Sequence, residues 1–250
     1  NDFFIHLYGD EERIKKELLL VNASTDKIKI VHSEGVVSDE ESPMKAVKSS
    51  KNTSMWNSVS SQVNGDADIT LSAGNTGVLL VISRMILKMM NEVSKPALAG
   101  LWPSKKGMTV VLDLGANIEC DEKNLVDFSE MGSALFKSIF PDLTPKVSLL
   151  NIGSEEIKGT EMLKKAFIKL KTLDNNNFKF NGYIEGNELM DGNSNVVVTD
   201  GFTGNIALKT AEGTAKFIID NLKISLTENI FSKFSLIFSY FSLKRFKSRL

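Results

Sequence analysis

Four corners rich in glycine and asparagine carry the residues of this chain best suited to chemistry on an anion. They are Leu71-Ser72-Ala73-Gly74-Asn75-Thr76-Gly77, Leu112-Asp113-Leu114-Gly115-Ala116-Asn117, Leu149-Leu150-Asn151-Ile152-Gly153-Ser154 and Thr199-Asp200-Gly201-Phe202-Thr203-Gly204-Asn205. Each ends a run of apolar, β-favouring residues, and three lead into a helix-like pattern. Glycine lets backbone N–H groups face a ligand, and a helix N-terminus favours negative charge. In an open α/β sheet the strand ends collect on one edge. The corners therefore point to phosphate or acyl chemistry in a strand-end crevice.

Each corner also has a plainer reading. Gly74 to Gly77 reads as an ordinary turn into a helix capped by Asn75 or Thr76, or as a phosphate cradle. Gly201, Thr203, Gly204 and Asn205 repeat the Gly-x-Thr-Gly pattern. Both helices open without an acidic residue in the first turn, which leaves room for a bound anion. Ser154 reads as an N-cap, and Glu155 and Glu156 complement that helix end themselves, so it is a poor cradle. Lys158, one turn in, either reaches the crevice as a point charge or is a solvated lysine. Asp113 and Asp200 suit turn organisation by accepting N–H bonds, and Asp200 is also placed to orient a lysine or a leaving-group proton. Lys209 follows Asn205 by four residues and shares its helix face.

Behind these residues lies an alternating pattern. Strand-like runs cover Phe3 to Tyr8, Ile28 to His32, Ala67 to Ser72, Thr109 to Leu114, Lys146 to Ile152, Phe178 to Ile184 and Asn195 to Thr199. Helical spacing covers Glu11 to Leu20, Pro43 to Val63, Thr76 to Met90, Asn124 to Phe140, Glu155 to Leu170 and Asn205 to Asn221. Such alternation predicts a mainly parallel, doubly wound α/β sheet in three layers, because parallel strands need long crossovers. Residues 1–221 read as the α/β catalytic domain and 222–250 as an amphipathic helical segment.

Bulk composition narrows the partners. With 250 residues, 42% of them hydrophobic, the chain can bury a full core. Thirty basic and 31 acidic side chains give a net charge of −1, so no global electrostatic case exists for nucleic acid. The one cysteine, Cys120, excludes an internal disulfide and reads as packed rather than nucleophilic, fitting a reducing, cytoplasmic setting. With only two histidines, His6 and His32, the sequence argues against a histidine-based metal site. The Walker, nucleophile-elbow and zinc-hydrolase patterns are missing. The start, Asn1-Asp2-Phe3-Phe4-Ile5, reads as truncated, without a basic leader.

The C-terminal stretch is distinct. Phe231, Phe234, Phe238 and Phe241 recur at spacings of three, four and three, lining one helix face with aromatics. The charge-free run from Phe234 to Leu243 is ten residues, short of the roughly 20 a membrane span needs. A core or dimer helix fits this pattern. So does an interfacial helix on anionic lipid, which Lys244, Arg245, Lys247 and Arg249 favour.

Taken together and in order, the corners resemble the bacterial acyl-ACP:phosphate acyltransferases. The likeness extends through Leu150 to Gly159 and Val198 to Asn205, with Ala46 to Met55 and Asn181 to Gly186 in support, from about Phe3 to Asn221. The resemblance implies an isopropylmalate-dehydrogenase-like fold, a homodimer, peripheral membrane contact through a helical hairpin, and acyl transfer from acyl carrier protein to inorganic phosphate without a cofactor. For such a reaction Lys158 is expected to hold or neutralise phosphate, Asn205 to donate to a phosphate or carbonyl oxygen, and the N–H groups of Gly74 to Gly77 and Gly201 to Asn205 to hold phosphate and oxyanion, with Asp200, Asn117 and Lys209 as further crevice candidates. The family's opening Asp-x-Met-Gly-Gly-Asp strand and its later strands are missing here, so the catalytic domain is expected to be incomplete. Rival readings are a CoA-dependent phosphate acetyl- or butyryltransferase, a metal-dependent decarboxylating dehydrogenase of the same fold, and a KH-like clamp on nucleic acid.

Overall fold

The computed structural model describes residues 3–38, 48–174 and 176–247. It resolves into two compact units, Asn1–Ser94 and Lys95–Leu250.

In the first unit, β1 (Ile5–Gly9) and β2 (Ile28–His32) pair in parallel, connected through α1 (Glu11–Leu20). Asp10 caps α1 by accepting from the Arg13 N–H at 2.8 Å. Helices α2 (Ser54–Val63) and α3 (Thr76–Leu87) bury a cluster of Val37, Met55, Val59, Val78 and Ile82. Met55 and Val59, like Val78 and Ile82, are four residues apart, so each pair lies on one helix face. The expected helix over Pro43 to Val63 is found from Ser54 onward, and its first residues, to Val47, lie outside the described residues. The expected strand over Ala67 to Ser72 is not formed. This segment is irregular and exposes Ile69 and Leu71, 76% and 90% accessible. Among the described residues no strand bonds to it, and β-propensity alone does not make a strand.

The second unit is a five-stranded sheet in the order β3-β4-β7-β5-β6. Strands β4 (Gly107–Leu112), β5 (Lys146–Leu150), β6 (Lys179–Ile184) and β7 (Val196–Val198) run parallel. Edge strand β3 (Ala99–Ser104) turns back antiparallel through Lys105 and Lys106. Sequence patterning missed β3 because Gly100 and Pro103 interrupt it, and an edge strand tolerates both.

Alternate residues of the parallel strands serve opposite faces. Val110, Leu112, Val147, Leu149, Val196 and Val198 meet α4 (Glu122–Ile139) and α5 (Glu161–Thr172), through Leu125, Phe128, Phe136, Leu163 and Phe167. On the other face, Val111, Leu150 and Val197 meet Ala207, Leu208 and Ala211 of α6 (Gly201–Thr227). Three layers result. The sheet and α4 touch so closely that a Cβ on Gly132 would stand 2.6 Å from Val196 Cγ1. Helix α6 runs through position 221 unbroken, and α7 (Ile230–Lys247) packs back on it as a hairpin.

Helix α5 begins later than its periodicity predicts. It starts at Glu161 with Thr160 as N-cap, not at Glu155 with Ser154. Gly159 sits at φ +94°, a left-handed conformation that ends any helix attempted from Glu155. Lys158 therefore belongs to the loop after β5 and not to the helix.

Candidate functional site

Because β4, β7 and β5 are parallel neighbours, their C-terminal corners gather on one edge of the five-stranded sheet. Three of the four sequence-predicted corners are brought together there. The fourth, Gly74 to Gly77, belongs to the first unit. There Asn75 caps α3, accepting from the Val78 N–H at 3.1 Å, and the Gly74 N–H donates to Ser72 Oγ at 3.2 Å. Gly74 and Thr76 are exposed at the start of α3.

At the β4 corner, the buried Asp113 carboxylate accepts from the N–H groups of Gly115, Ala116 and Asn117 at 3.1, 2.8 and 2.8 Å. The Asn117 carboxamide turns inward, donating to Asp113 Oδ2 at 2.7 Å and to the Pro96 carbonyl at 2.6 Å. Its backbone carbonyl accepts from Gly201 N–H at 2.8 Å, tying this corner to the next.

At the β7 corner, Asp200 is the N-cap of α6. Its carboxylate accepts from Thr203 N–H at 2.9 Å and from Thr203 Oγ1 at 2.8 Å. Gly204 N–H donates to the Asp200 carbonyl. The amides of Gly201, Thr203 and Gly204 thus each have a partner within the fold, and the negative charge at this helix end belongs to Asp200. Asn205, one turn in and exposed, lies over Gly115. A Cβ at Gly115 would stand 3.1 Å from Asn205 Nδ2. Lys209 pairs along the helix with Glu212 at 2.8 Å.

After β5, Lys158 Nζ pairs with Glu155 Oε1 at 2.8 Å. The bond to Glu155 holds the Lys158 ammonium above its ordinary range and keeps the Glu155 carboxyl below its own. Sequence reasoning placed Asn151 in the third corner without a role of its own, yet it fixes this loop. It is 7% exposed, donates from Nδ2 to the Lys158 carbonyl at 3.1 Å, and lies against Gly159, where no side chain would fit. Its place at the strand terminus, eight residues before a glycine, was the available signal.

Cys120, half-buried beside Asn117, has its thiol pushed up chiefly by burial, and the nearby Asp113 and Asp200 charges push the same way. On α7, Phe231, Phe238 and Phe241 are 85%, 86% and 71% exposed, while the Phe234 side chain lies outside the described residues. No helix is long and apolar enough to cross a membrane among the described residues.

Comparison with known proteins places these observations among a family model, two relatives and two solved structures. A family model described as "Fatty acid synthesis protein" matches residues 1–250. A phosphate acyltransferase of Pelagibacter ubique (strain HTCC1062) is 54% identical over 99% of this chain and 74% of its own length. One from Phenylobacterium zucineum (strain HLK1) is 40% identical over 98% of this chain and 69% of its own length. Among solved structures, a phosphotransacetylase from Streptococcus pyogenes aligns with a TM-score of 0.60 at 16% identity, over 84% of this chain and 73% of that one. A branched-chain phosphotransacylase from Enterococcus faecalis V583 aligns at 0.53 and 15%, over 83% of each. At such identities the likeness shows a shared fold.

Proposed function

The chain belongs to the phosphate acyltransferase family of fatty acid synthesis proteins, and from that premise we propose that it moves a fatty acyl group from the thioester of acyl carrier protein to inorganic phosphate. The observation that carries this reading is the 54% identity across nearly the whole chain. The product is an acyl phosphate for phospholipid synthesis, and no cofactor takes part.

In the proposed reaction a phosphate oxygen attacks the thioester carbonyl carbon, forming a C–O bond and a tetrahedral oxyanion. Collapse breaks the C–S bond, and the departing thiolate takes up the proton that the attacking hydrogen phosphate gives up. Lys158, on a loop pinned by Asn151, neutralises the phosphate. Asn205, exposed over Gly115, donates to the phosphate or to the developing oxyanion. Asp200, by capping α6, fixes the turn from which Asn205 projects. The Gly74-Asn75-Thr76-Gly77 turn of the first unit is proposed as an anion-binding turn in its own right. Most of the acceleration is assigned to positioning and to fixed hydrogen-bond donors.

The α6–α7 hairpin is proposed as the surface for a second copy of the chain and for an anionic membrane, with the enzyme in the cytoplasm. Its supports are the exposed Phe231, Phe238 and Phe241 beside the basic Lys244 and Arg245.

The test is phosphate-dependent thioester cleavage with acyl carrier protein and CoA as alternative donors, the acyl phosphate being trapped as its hydroxamate. The expected result is preference for the carrier protein, with preference for acyl-CoA overturning it. Lys158→Ala and Asn205→Ala should melt like the parent and lose about a hundredfold or more in rate. Parental rates in both would remove these assignments.

A further inference from the structure

Asp113 does more than shape its own turn, and we infer that it is a positioning residue for acyl transfer, acting through Asn205. Its side chain is fully buried, yet no ion pair to it is found among the described residues. Five N–H groups hold it instead. Oδ1 accepts from the backbone N–H groups of Leu98, Gly115 and Ala116 at 3.1, 3.1 and 2.8 Å. Oδ2 accepts from the Asn117 backbone at 2.8 Å and the Asn117 carboxamide at 2.7 Å. Turn formation uses one or two such bonds, whereas saturation of both oxygens fixes an entire corner, since charge-assisted bonds are about twice as strong as neutral ones.

What that corner touches gives the carboxylate its role. Gly115, held from its N–H, adopts φ +132° and presents bare backbone to the Asn205 side chain, which rests on it. Asn117, held twice, offers its carbonyl to Gly201 N–H at the first position of α6. The same carboxylate thereby sets both the floor under Asn205 and the start of the helix that carries it. Asparagine at 113 would keep the shape while replacing one acceptor by an N–H₂ aimed at donors. Gly115→Ala would crowd Asn205 while leaving the carboxylate in place.

This inference rests on the reading that Asn205 contacts the substrate, and the test separates the two. A double-mutant cycle crosses Asp113→Asn with Asn205→Ala, following kcat and KM for phosphate-dependent cleavage of acyl carrier protein thioester. Asp113→Asn is expected to lower kcat about a hundredfold in the parent and less than about threefold in the Asn205→Ala background, with KM little changed. Equal losses in both backgrounds would mean an independent structural role and would overturn the inference, as would a parental kcat.

If Asp113→Asn does not fold, Gly115→Ala is read through the same cycle with the same criteria. Independently of activity, the Asn205 side-chain amide resonance in a ¹H–¹⁵N spectrum should shift in Asp113→Asn or Gly115→Ala. An unmoved resonance overturns the positioning role, whereas a shifted resonance with an active Asn205→Ala overturns only the reading of Asn205 as a substrate contact and, with it, the catalytic consequence drawn here.

Discussion

At the scale of single residues, the cation assigned to the phosphate has a competitor in its own loop. Lys158 is paired with Glu155 at 2.8 Å, and both side chains are about half exposed. A phosphate approaching Lys158 must displace that carboxylate. Exposed pairs are weak, so the competition is modest. Glu155→Gln should therefore lower the KM for phosphate about two- to fivefold without changing kcat, as measured by initial rates over a phosphate titration. The Lys158 bond holds the Glu155 carboxyl below its ordinary range and the ammonium above its own. Both groups stay charged through neutrality, so the gain should persist at pH 6 and pH 8 and be no smaller at pH 8, where more of the phosphate is the dianion that the carboxylate repels. It should fade only when the pH falls through the lowered Glu155 value and the carboxylate is protonated. Cys120 makes the opposite case. Burial raises its thiol above the ordinary range, so the thiolate is scarce at neutral pH. Alkylation by iodoacetamide should be slow there and accelerate as the pH rises past the usual thiol range. Cys120→Ala should keep the parental rate within about twofold, as expected of a half-buried packing residue that the proposed reaction does not use.

At the scale of elements, glycine at 204 is what allows α6 to start where it does. A Cβ there would collide with the backbone carbonyl of Asp113, and Gly201 is similarly confined by the Asn117 backbone. Neither neighbour can rotate away. Gly204→Ala should cost about 3 kcal/mol or more of stability, or prevent folding, which a urea midpoint would register. The sequence made much of this architecture legible. The apolar run Asn195 to Thr199 located its strand, β7, because Val196, Val197 and Val198 are all buried, as expected where both faces of a parallel strand are covered. Helix starts were harder to place. Glu155 to Gly159 carries helical spacing, but the left-handed Gly159 and the buried Asn151 beneath it are long-range facts. Ala67 to Ser72 alternates like a strand but has no pairing neighbour among the described residues, which no local pattern records. The corners were legible as chemistry because glycine and asparagine cluster there. The burial of Asp113 and the contact between Gly115 and Asn205 were not, since both depend on β4 and β7 being neighbours.

At the scale of the whole molecule, the α6–α7 hairpin leaves a long run of apolar side chains uncovered. Helix α6 buries only Gly201 and Gly204 fully, and its later turns expose Phe217, Ile218, Ile219, Leu222 and Ile224. Helix α7 adds Phe231, Phe238, Phe241 and Phe246. Apolar side chains on this scale, next to Lys244 and Arg245, are costly to leave in water, and an interface with lipid or a second chain would remove them from it. The two occupants predict different variant behaviour. For a lipid surface, sedimentation with vesicles containing an anionic phospholipid should carry the protein down, and Phe238→Ser with Phe241→Ser should abolish it. Raising the salt concentration should weaken binding without removing it, because the apolar contribution is not screened. For a dimer, the same pair of substitutions should lower the mass found by analytical ultracentrifugation while vesicle binding falls in step. Loss of vesicle binding with an unchanged mass would assign the α7 aromatics to the membrane, and the second copy would then have to dock elsewhere.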